Sequence, residues 1–598
     1  MGTPASRIVQ CSGYGQVLER INDPPDWVTS YEDGNVRHIS KKQSQYIENL
    51  RVCAYPFAHR YVSEMLTVER FLRQLDYHVA SFVSTQTGGG KTTWAIKIVA
   101  GYMRKHGRRI AVFCSRAALK LKLKYDAIDA AGTDQKECLT LTGIRKQWEF
   151  GNIDIFSYQD IFGDYGSAHL EEFKRHLPEY GVVFFDEIHF LVSDAEFNGY
   201  TRKIYEELSE LCYKNKIPRV YMTATPEYIL DVICQREKEL CESHRDIYEK
   251  KAIAEGRCSV GKLINFYHFE RDYSYINFNT FQLDENGNCP ELVQMIRESS
   301  GCKWLILTDI KRRGEQLRKE LTAKEVKLLN SDLIHPEGGR KMDSDIEELM
   351  NELTLNETMP CDVLIATKCL DVGITIKDTP VNIVCFLTDP VDFIQGIGRK
   401  RVCRQNDKVE LYVPAYTKAD VNRWHQSTVN ALTEYRTVCE RYPEGNKASG
   451  AHFPVPVLVD NGVYKHNTYL GVKLRLRRRM LERLLKQIDR CESDEICIAN
   501  FYRSLLELPP VRLEALNSEC ADRRQKLMEI VDRYKNAAFD EERAQMLFSE
   551  LKAYDNRARV KDRPFTTNAA NLVLNEIGYK VEKEKGVYRI FPLNAKGD

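Results

Sequence analysis

The feature that most constrains this fold is a glycine-rich turn between an apolar run and a helical segment. Residues Tyr77–Ser84 (YHVASFVS) are rich in β-formers and predict a buried strand, and the run that ends near Met103 predicts a helix. The turn between them, Thr85–Thr92 (TQTGGGKT), contains three consecutive glycines. Because glycine lacks a Cβ, backbone N–H groups in such a turn can converge on phosphate oxygens at the positive end of the helix. The pattern predicts a phosphate loop in an α/β domain, and the alternative is a ligand-free turn.

Each side chain of this turn then has a predicted role. Lys91 would reach the β- and γ-phosphates of a bound nucleotide, and the Thr92 hydroxyl would bind magnesium. The predicted cofactors are therefore ATP and Mg²⁺. The cofactor-binding residues assigned to the turn are Thr87, Gly88, Gly89, Gly90, Lys91 and Thr92.

A second apolar run supplies the carboxylates that such a site needs. Residues Gly181–Phe185 (GVVFF) predict a buried strand that ends in Asp186 and Glu187. An aspartate at the end of a strand beside a phosphate loop can hold the magnesium ion, so Asp186 is assigned to the metal. Glu187 is placed to orient and deprotonate the attacking water, which makes it the predicted catalytic base.

Together these residues resemble superfamily 2 helicases, the class that includes the DEAD- and DEAH-box proteins. Asp186–His189 (DEIH) is similar to motif II in its DExH form, and Thr223–Thr225 (TAT) is similar to motif III. The resemblance implies that His189, Thr223 and Thr225 couple the ATP site to a nucleic-acid path. It also implies two RecA-like domains that close on one ATP.

The second half of the chain carries further motifs of this family. Lys303–Asp309 resembles motif IV, and Asp362–Thr367 with the following Lys368–Ile376 resembles motif V. Within motif V, the resemblance assigns Thr367 to nucleic acid and Gly373 to the nucleotide. Gln395–Lys400 (QGIGRK) resembles motif VI.

Motif VI is expected to supply an arginine that reaches the γ-phosphate across the domain gap. Arg399 aligns with the first arginine of the family, and Gln395 is included in the predicted catalytic set. The second family arginine would stand at Val402, with Arg401 and Arg404 on either side. All three arginines are therefore candidates for the arginine finger.

Two weaker similarities concern the nucleic-acid path. Ile110–Ser115 predicts a strand that leads to Arg116, which resembles motif Ia and assigns Ser115 and Arg116 to nucleic acid. Ser157–Gln159 ends another strand-like run and is interpreted in the same way. A serine followed by arginine at a strand end is also typical of a helix cap.

Strands that alternate with helices in both halves predict an α/β fold of two tandem RecA-like, doubly wound parallel-sheet domains with a mostly helical C-terminal region. The predicted division is an N-terminal extension (1–60), RecA-like domain 1 (61–230), an interdomain segment (231–290), RecA-like domain 2 (291–420) and an accessory region (421–598). In the last region, the basic run Lys473–Arg479 is either a phosphate contact or a solvated helix face. Residues 565–592 predict a helix and a β-hairpin, as part of a winged helix or a simple α+β cap.

Composition narrows the function less than the motifs do. The chain has 598 residues, a net charge of +1 and 18 cysteines without a CxxC pair, which predicts a cytoplasmic protein with reduced thiols and no zinc module. No apolar run is long enough to span a bilayer, so no membrane partner is expected. The leading hypothesis is an ATP-dependent helicase or translocase on nucleic acid, with DNA favoured over RNA and with replication, repair, mobile-element or defence proteins as partners. The alternatives are a nucleotide-gated switch with slow turnover and a P-loop kinase or GTPase.

Overall fold

In the computed structural model, the chain divides into two units, Met1–Leu508 and Pro509–Asp598. The structure describes residues 31–32, 35–36, 50–55, 61–115, 117–131, 147–159, 166–245, 263–269, 271–284, 286–334, 342–367, 374–401, 408–448, 454–460, 462–491, 493–510, 527–535, 538–552, 566–575, 579–584 and 586–592.

The first large sheet carries the phosphate loop. In the described part of the chain it has eight strands, which are parallel except for the last pair. Their order is β3 (Leu50–Tyr55), β10 (Ile264–Phe269), β4 (Ala80–Ser84), β9 (Arg219–Thr223), β8 (Tyr180–Phe185), β5 (Arg109–Cys114), β7 (Ile153–Ser157) and β6 (Glu149–Phe150). A short antiparallel pair, β1 (Tyr31–Glu32) and β2 (Asn35–Val36), precedes it in the chain.

Helices cover both faces of this sheet. Its central strands are therefore buried on two sides, which explains why they are apolar along their length. Strands β4 and β9 are buried at every residue, and separate hydrophobic clusters fill the two faces. The helices are α1 (Val62–Met65), α2 (Val68–Arg73), α3 (Lys91–Thr93) with its π-helical continuation Trp94–Val99, α4 (Ala100–Lys105), α5 (Ala117–Ala131), α6 (Gly166–His176), α7 (Phe190–Ser193), α8 (Thr201–Lys214) and α9 (Leu230–His244).

The second large sheet is parallel throughout its described strands, of which there are six. Their order is β11 (Ile276–Phe281), β16 (Val409–Pro414), β15 (Val381–Cys385), β12 (Lys303–Leu307), β14 (Val363–Ala366) and β13 (Val326–Leu329). The helices are α10 (Pro290–Glu298), α11 (Lys311–Glu320), α12 (Ser331–Ile334), α13 (Ser344–Asn351) with its π-helical continuation Glu352–Asn356, and α14 (Pro390–Ile397). The structure thus confirms the predicted pair of doubly wound α/β domains.

The sheets draw on more of the chain than the predicted boundaries allow. The first domain takes β3 from the predicted N-terminal extension and β10 from the predicted interdomain segment. The second domain takes β11 from the same segment, where it pairs with β16. These strands lie outside the predicted bounds of the two RecA-like domains, 61–230 and 291–420, because they pair with strands distant in sequence.

After the second sheet, a mostly helical region returns to the first domain. The helices are α15 (Lys418–Arg441), α16 (Thr468–Ile488) and α17 (Asp494–Leu505), with an antiparallel hairpin of β17 (Val457–Asp460) and β18 (Val463–His466). Helices α15 and α16 pack closely, since a Cβ at Gly471 would lie 2.8 Å from the Tyr435 ring. Among the described residues, no helix is long and apolar enough to cross a membrane.

The second unit, from Pro509 onward, has its own hydrophobic core. It contains a helical segment at 527–534, α18 (Glu541–Lys552), α19 (Thr567–Asn575) and an antiparallel hairpin of β19 (Tyr579–Glu584) and β20 (Val587–Pro592). The helix and hairpin predicted within 565–592 are confirmed. Within the predicted accessory region 421–598, the core residues fall into separate clusters on either side of residue 508.

Candidate active site

The turn after β4 has the backbone geometry of a phosphate loop. Gly88 and Gly90 have φ of +83° and +76°, a region that other residues seldom adopt. A Cβ at Gly89 would lie 2.4 Å from Thr85 Oγ1, so only glycine fits there as well. Gly90 is the residue before helix α3, which begins at Lys91. The three glycines are thus required by two backbone conformations and one close approach.

Lys91 and Thr92 connect this loop to the second predicted motif. Lys91 is buried, and its Nζ donates to the carbonyl oxygens of Thr85 at 3.1 Å and Gln86 at 3.4 Å. The Thr92 hydroxyl donates to Asp186 Oδ2 at 2.9 Å. The two side chains predicted to hold magnesium are therefore direct neighbours, although 94 positions separate them in the chain.

Glu187 is held in a strained conformation beside them. Its φ of +47° is uncommon for a residue with a Cβ, and such strain concentrates at functional sites. His189 Nδ1 lies 3.3 Å from Glu187 Oε2 and 3.0 Å from the Thr223 hydroxyl. The Thr223 hydroxyl in turn accepts from the Thr225 backbone N–H at 3.0 Å. The residues predicted to couple the ATP site onward thus form one connected chain.

Sheet order explains why these motifs meet. Strand β9 lies between β4 and β8, so the motif III residues emerge between the phosphate loop and motif II. The Thr85 backbone N–H donates to the Thr223 carbonyl at 3.4 Å, and that of Ile188 donates to the Met222 carbonyl at 3.1 Å. Because the strands are parallel, all three loops leave the same sheet edge, where ligands of such folds bind.

Motif VI is fixed by pairing with the end of motif V. Ile376 forms a parallel bridge with Lys400. Its backbone N–H donates to the Arg399 carbonyl at 2.8 Å, and its carbonyl accepts from the Arg401 N–H at 2.9 Å. Arg399 is buried, and its Nη2 donates to Gln395 Oε1 at 3.1 Å. These bonds set the direction in which both arginines leave the backbone.

The second domain thereby contacts the phosphate loop itself. A Cβ at Gly398 would lie 1.8 Å from the Thr87 hydroxyl, so motif VI and the loop touch backbone to side chain. A Cβ at Gly88 would lie 2.6 Å from Arg401 Nη1. The Arg401 guanidinium therefore lies directly against the phosphate loop.

The segment between the two sheets, which the sequence analysis left without a role, also lines the site. The Asp272 backbone N–H donates to Gln86 Oε1 at 2.7 Å. Arg271 is buried and forms an ion pair with Glu227 at 2.5 Å, two positions after Thr225. No local sequence pattern marks these residues, since their contacts depend on where the chain crosses between domains.

Like charges face one another on both sides of the site. Burial, and then the charge of Glu187, raises the pKa of Asp186. Burial would also raise the pKa of Glu187, but His189, Lys91 and Arg399 lower it below its ordinary value. Burial, and then the charge of Arg399, lowers the pKa of Arg401 to about 10.

This charge arrangement fits a magnesium nucleotide. Two adjacent carboxylates suit a divalent cation, with Thr92 and Asp186 as its holders. Two adjacent arginines and Lys91 suit the oxygens of a triphosphate, whose anionic charge would offset their repulsion. When bound, magnesium would neutralise phosphate charge that develops during transfer.

The remaining predicted residues differ in what the structure describes of them. Arg116, Gly373 and Arg404 fall outside the described residues. Ser115 and Thr367 stand at strand ends but are only 1% and 8% exposed. Tyr158, predicted to touch nucleic acid, is buried and donates its hydroxyl to the Asp186 carbonyl at 3.0 Å. This bond ties Tyr158 to the motif II segment.

The basic run Lys473–Arg479 divides between two environments. Lys473 is 3% exposed and pairs with Glu196 at 2.8 Å, and Arg477 donates to the Thr388 hydroxyl at 3.3 Å. Arg475 is exposed. The run is therefore neither a uniformly solvated face nor a continuous basic surface.

The fold is a pair of RecA-like domains, and the first of them carries a phosphate loop. Comparison with known proteins agrees, since residues 39–228 match the family described as type III restriction enzyme, res subunit. This match confirms the resemblance to superfamily 2 helicases over residues 39–228. A search of curated proteins found no matching sequence.

Among solved structures, the chain is similar to S. cerevisiae Dbp5. The form bound to RNA and ADP BeF3 shares 16% identity at a TM-score of 0.36, with 56% of this chain and 79% of that chain covered. A variant bound to Nup159, Gle1, IP6 and ADP shares 14% identity at a TM-score of 0.33, with 56% and 80% covered. Similarity at this level bears on neither substrate nor partner.

Proposed function

We propose that this protein is a nucleic-acid-stimulated ATPase of the helicase and translocase kind. The observation that supports it best is the contact of motif VI with the phosphate loop. Gly398 meets Thr87, and Arg401 lies against Gly88. Groups from both domains thus meet at the phosphate loop, so hydrolysis of an ATP held there would depend on domain closure.

Roles follow from the geometry. Lys91 would bind the β- and γ-phosphates, and Glu187 would orient the attacking water and accept its proton. The lowered pKa of Glu187 keeps its carboxylate ionised and able to accept a proton. Arg399, held by Gln395, would stabilise charge on the transferred phosphoryl group, and Arg401 would contact the nucleotide from the loop side.

The chain Glu187–His189–Thr223–Thr225 supports coupling to a polymer. Each member contacts the next, so a shift of the motif III loop would move the catalytic carboxylate. A nucleotide-gated switch would need neither a strained Glu187 nor arginines against the loop. Nucleic acid is the proposed polymer, and we retain DNA over RNA as a prediction.

The test is the ATP turnover rate with and without single-stranded DNA, duplex DNA and single-stranded RNA. Glu187→Gln serves as the blank, because it keeps the side-chain volume and removes the base. Strong stimulation by one polymer would support the motor and identify its track. ATP turnover that none of these polymers stimulates would contradict the proposal and favour a nucleotide-gated switch.

A further inference from the structure

Helix α16 lies across both α/β domains. Leu470 and Leu474, in its first half, belong to a hydrophobic cluster of the first domain. Leu481 and Leu484, in its second half, belong to a cluster of the second domain. The middle of the helix therefore stands where the two domains face each other.

Polar anchors on this helix reach functional segments of both domains. Lys473 Nζ donates to the Ser193 carbonyl at 2.9 Å and to Glu196 at 2.8 Å, in the segment that follows motif II. One turn later, Arg477 Nη2 donates to the Thr388 hydroxyl of the second domain at 3.3 Å. The helix thus holds each domain through one buried or partly buried cation.

Thr388 stands at the start of the motif VI helix. The next residue, Asp389, caps α14 by accepting from the Val391 backbone N–H at 2.9 Å. Gln395 lies on that helix, and Arg399 follows its end. A displacement of the α14 N-terminus would therefore be transmitted along a single short helix to the arginine at the phosphates.

Helix α16 also contacts the turn that follows motif III. Tyr228 follows Thr225 closely in the chain. Its hydroxyl donates to Sδ of Met480, which lies on α16, at 3.7 Å. Burial raises the pKa of Tyr228, Asp389 adds to the rise, and Arg477 opposes it. Arg477 Nε is buried and has no hydrogen-bond partner among the described residues. Helix α16 thus contacts the turn after motif III through Met480 and the start of the motif VI helix through Arg477.

We propose that Arg477 is a positioning residue of the ATPase reaction, which holds the start of the motif VI helix in place against α16. This inference rests on the proposed function. Because Arg477 does not reach the phosphates, its loss is expected to lower kcat while leaving ATP affinity nearly intact. Misplacing a reacting group by about 1 Å can slow a reaction by about 100-fold.

The experiment compares steady-state ATP turnover of the full chain with Arg477→Gln, Arg477→Lys and Arg490→Gln. Arg490 is an exposed arginine just beyond the same helix and receives the identical substitution as a control. We expect Arg477→Gln to lower kcat by about 10- to 100-fold, with KM for ATP changed by about twofold or less. The kcat of Arg477→Lys should lie between those of Arg477→Gln and the wild type, and the kcat of Arg490→Gln should equal that of the wild type.

A purely structural role would lower the melting temperature without splitting kcat from KM. Thr388→Val removes only the acceptor and serves as a second variant if Arg477→Gln folds poorly. Wild-type kcat in both Arg477→Lys and Thr388→Val would overturn the inference. Failure of the proposed function would give a different result. No polymer would then stimulate ATP turnover of the wild type, while Arg477→Gln would still lower the kcat measured without polymer.

Discussion

The first domain has a cluster of buried charged residues at each end of its parallel strands. The two clusters differ in how their charges are arranged. At the start of the strands, Asp154 is fully buried and accepts from Arg109, from the Tyr180 hydroxyl at 2.7 Å, and lies 2.9 Å from His176 Nδ1. Arg109 also pairs with Glu149 at 2.8 Å. Every charge in this cluster faces a partner of opposite charge or a hydrogen-bond donor.

At the C-terminal ends of the strands, the candidate active site places like charges next to each other. Asp186 adjoins Glu187, and one residue separates Arg399 from Arg401. Burial, and then the charge of Arg399, lowers the pKa of Arg401. The residue types are nearly the same as in the first cluster, with acids, a histidine and arginines. A buried cluster in which opposite charges pair with one another is typical of a network that stabilises the fold. A buried cluster in which like charges remain adjacent is typical of a site that binds a charged ligand.

The sharpest test of this comparison is Lys91→Ala. We expect ATP turnover to fall to background, because no other side chain replaces the cation between the loop carbonyls and the phosphates. The melting temperature should not decrease, since burial already lowers the pKa of Lys91 and disfavours its charge. Measured turnover equal to that of the wild type would rule out the phosphate-loop assignment.

Arg399→Ala should have the next largest effect. We expect kcat to fall by about 10³-fold or more, the range for arginine fingers, while binding of a fluorescent ATP analogue persists. Arg401→Ala is the matched comparison and should weaken nucleotide binding, because its guanidinium lies against Gly88. If the two variants exchange these phenotypes, Arg401 is the finger.

Asp154→Asn probes the other cluster. Removing one charge from a buried ion pair leaves its partner unpaired, so the free energy of unfolding should drop by about 3–5 kcal/mol. Turnover by the folded fraction should be unchanged, because the cluster lies at the strand starts. Urea denaturation and ATP turnover measure the two quantities, and Asp186→Asn should give the reverse result.

The smallest expected effect concerns a contact between the two domains. Lys122, on α5, pairs with Glu357 and donates to the Thr375 hydroxyl at 3.3 Å. Burial would raise the pKa of Glu357, but Lys122 and Lys377 lower it. The pair therefore stabilises the fold above the ordinary carboxyl pKa of about 4.3, and this stabilisation is lost as pH falls through the lowered value.

Lys122→Met tests this linkage. At neutral pH it should lower stability by about 1 kcal/mol or less, as expected for a partly exposed pair. The difference in melting temperature from the wild type should shrink as pH falls from about 7 to about 3.5. A difference that stays constant over this range would show that Glu357 does not titrate against Lys122.

The sequence by itself determined the parts of the site that depend on local patterns. Apolar runs ending in a glycine turn, in Asp186 and Glu187, and in Thr223 predicted three loops at one sheet edge, and the structure brings all three together. Parallel strands present their C-terminal ends on the same side, so strand type and order along the chain suffice for this inference.

Only the tertiary structure decided which distant groups complete the site. Strands β3 and β10 joined the first sheet, and α16 spanned both domains. Asp272 reached the phosphate loop, and Arg271 reached Glu227 in the turn after motif III. The bridge of Ile376 with Lys400 gave Arg399 and Arg401 their separate directions. These contacts join segments far apart in sequence, and their selection depends on which surfaces bury together, a quantity that no local pattern encodes.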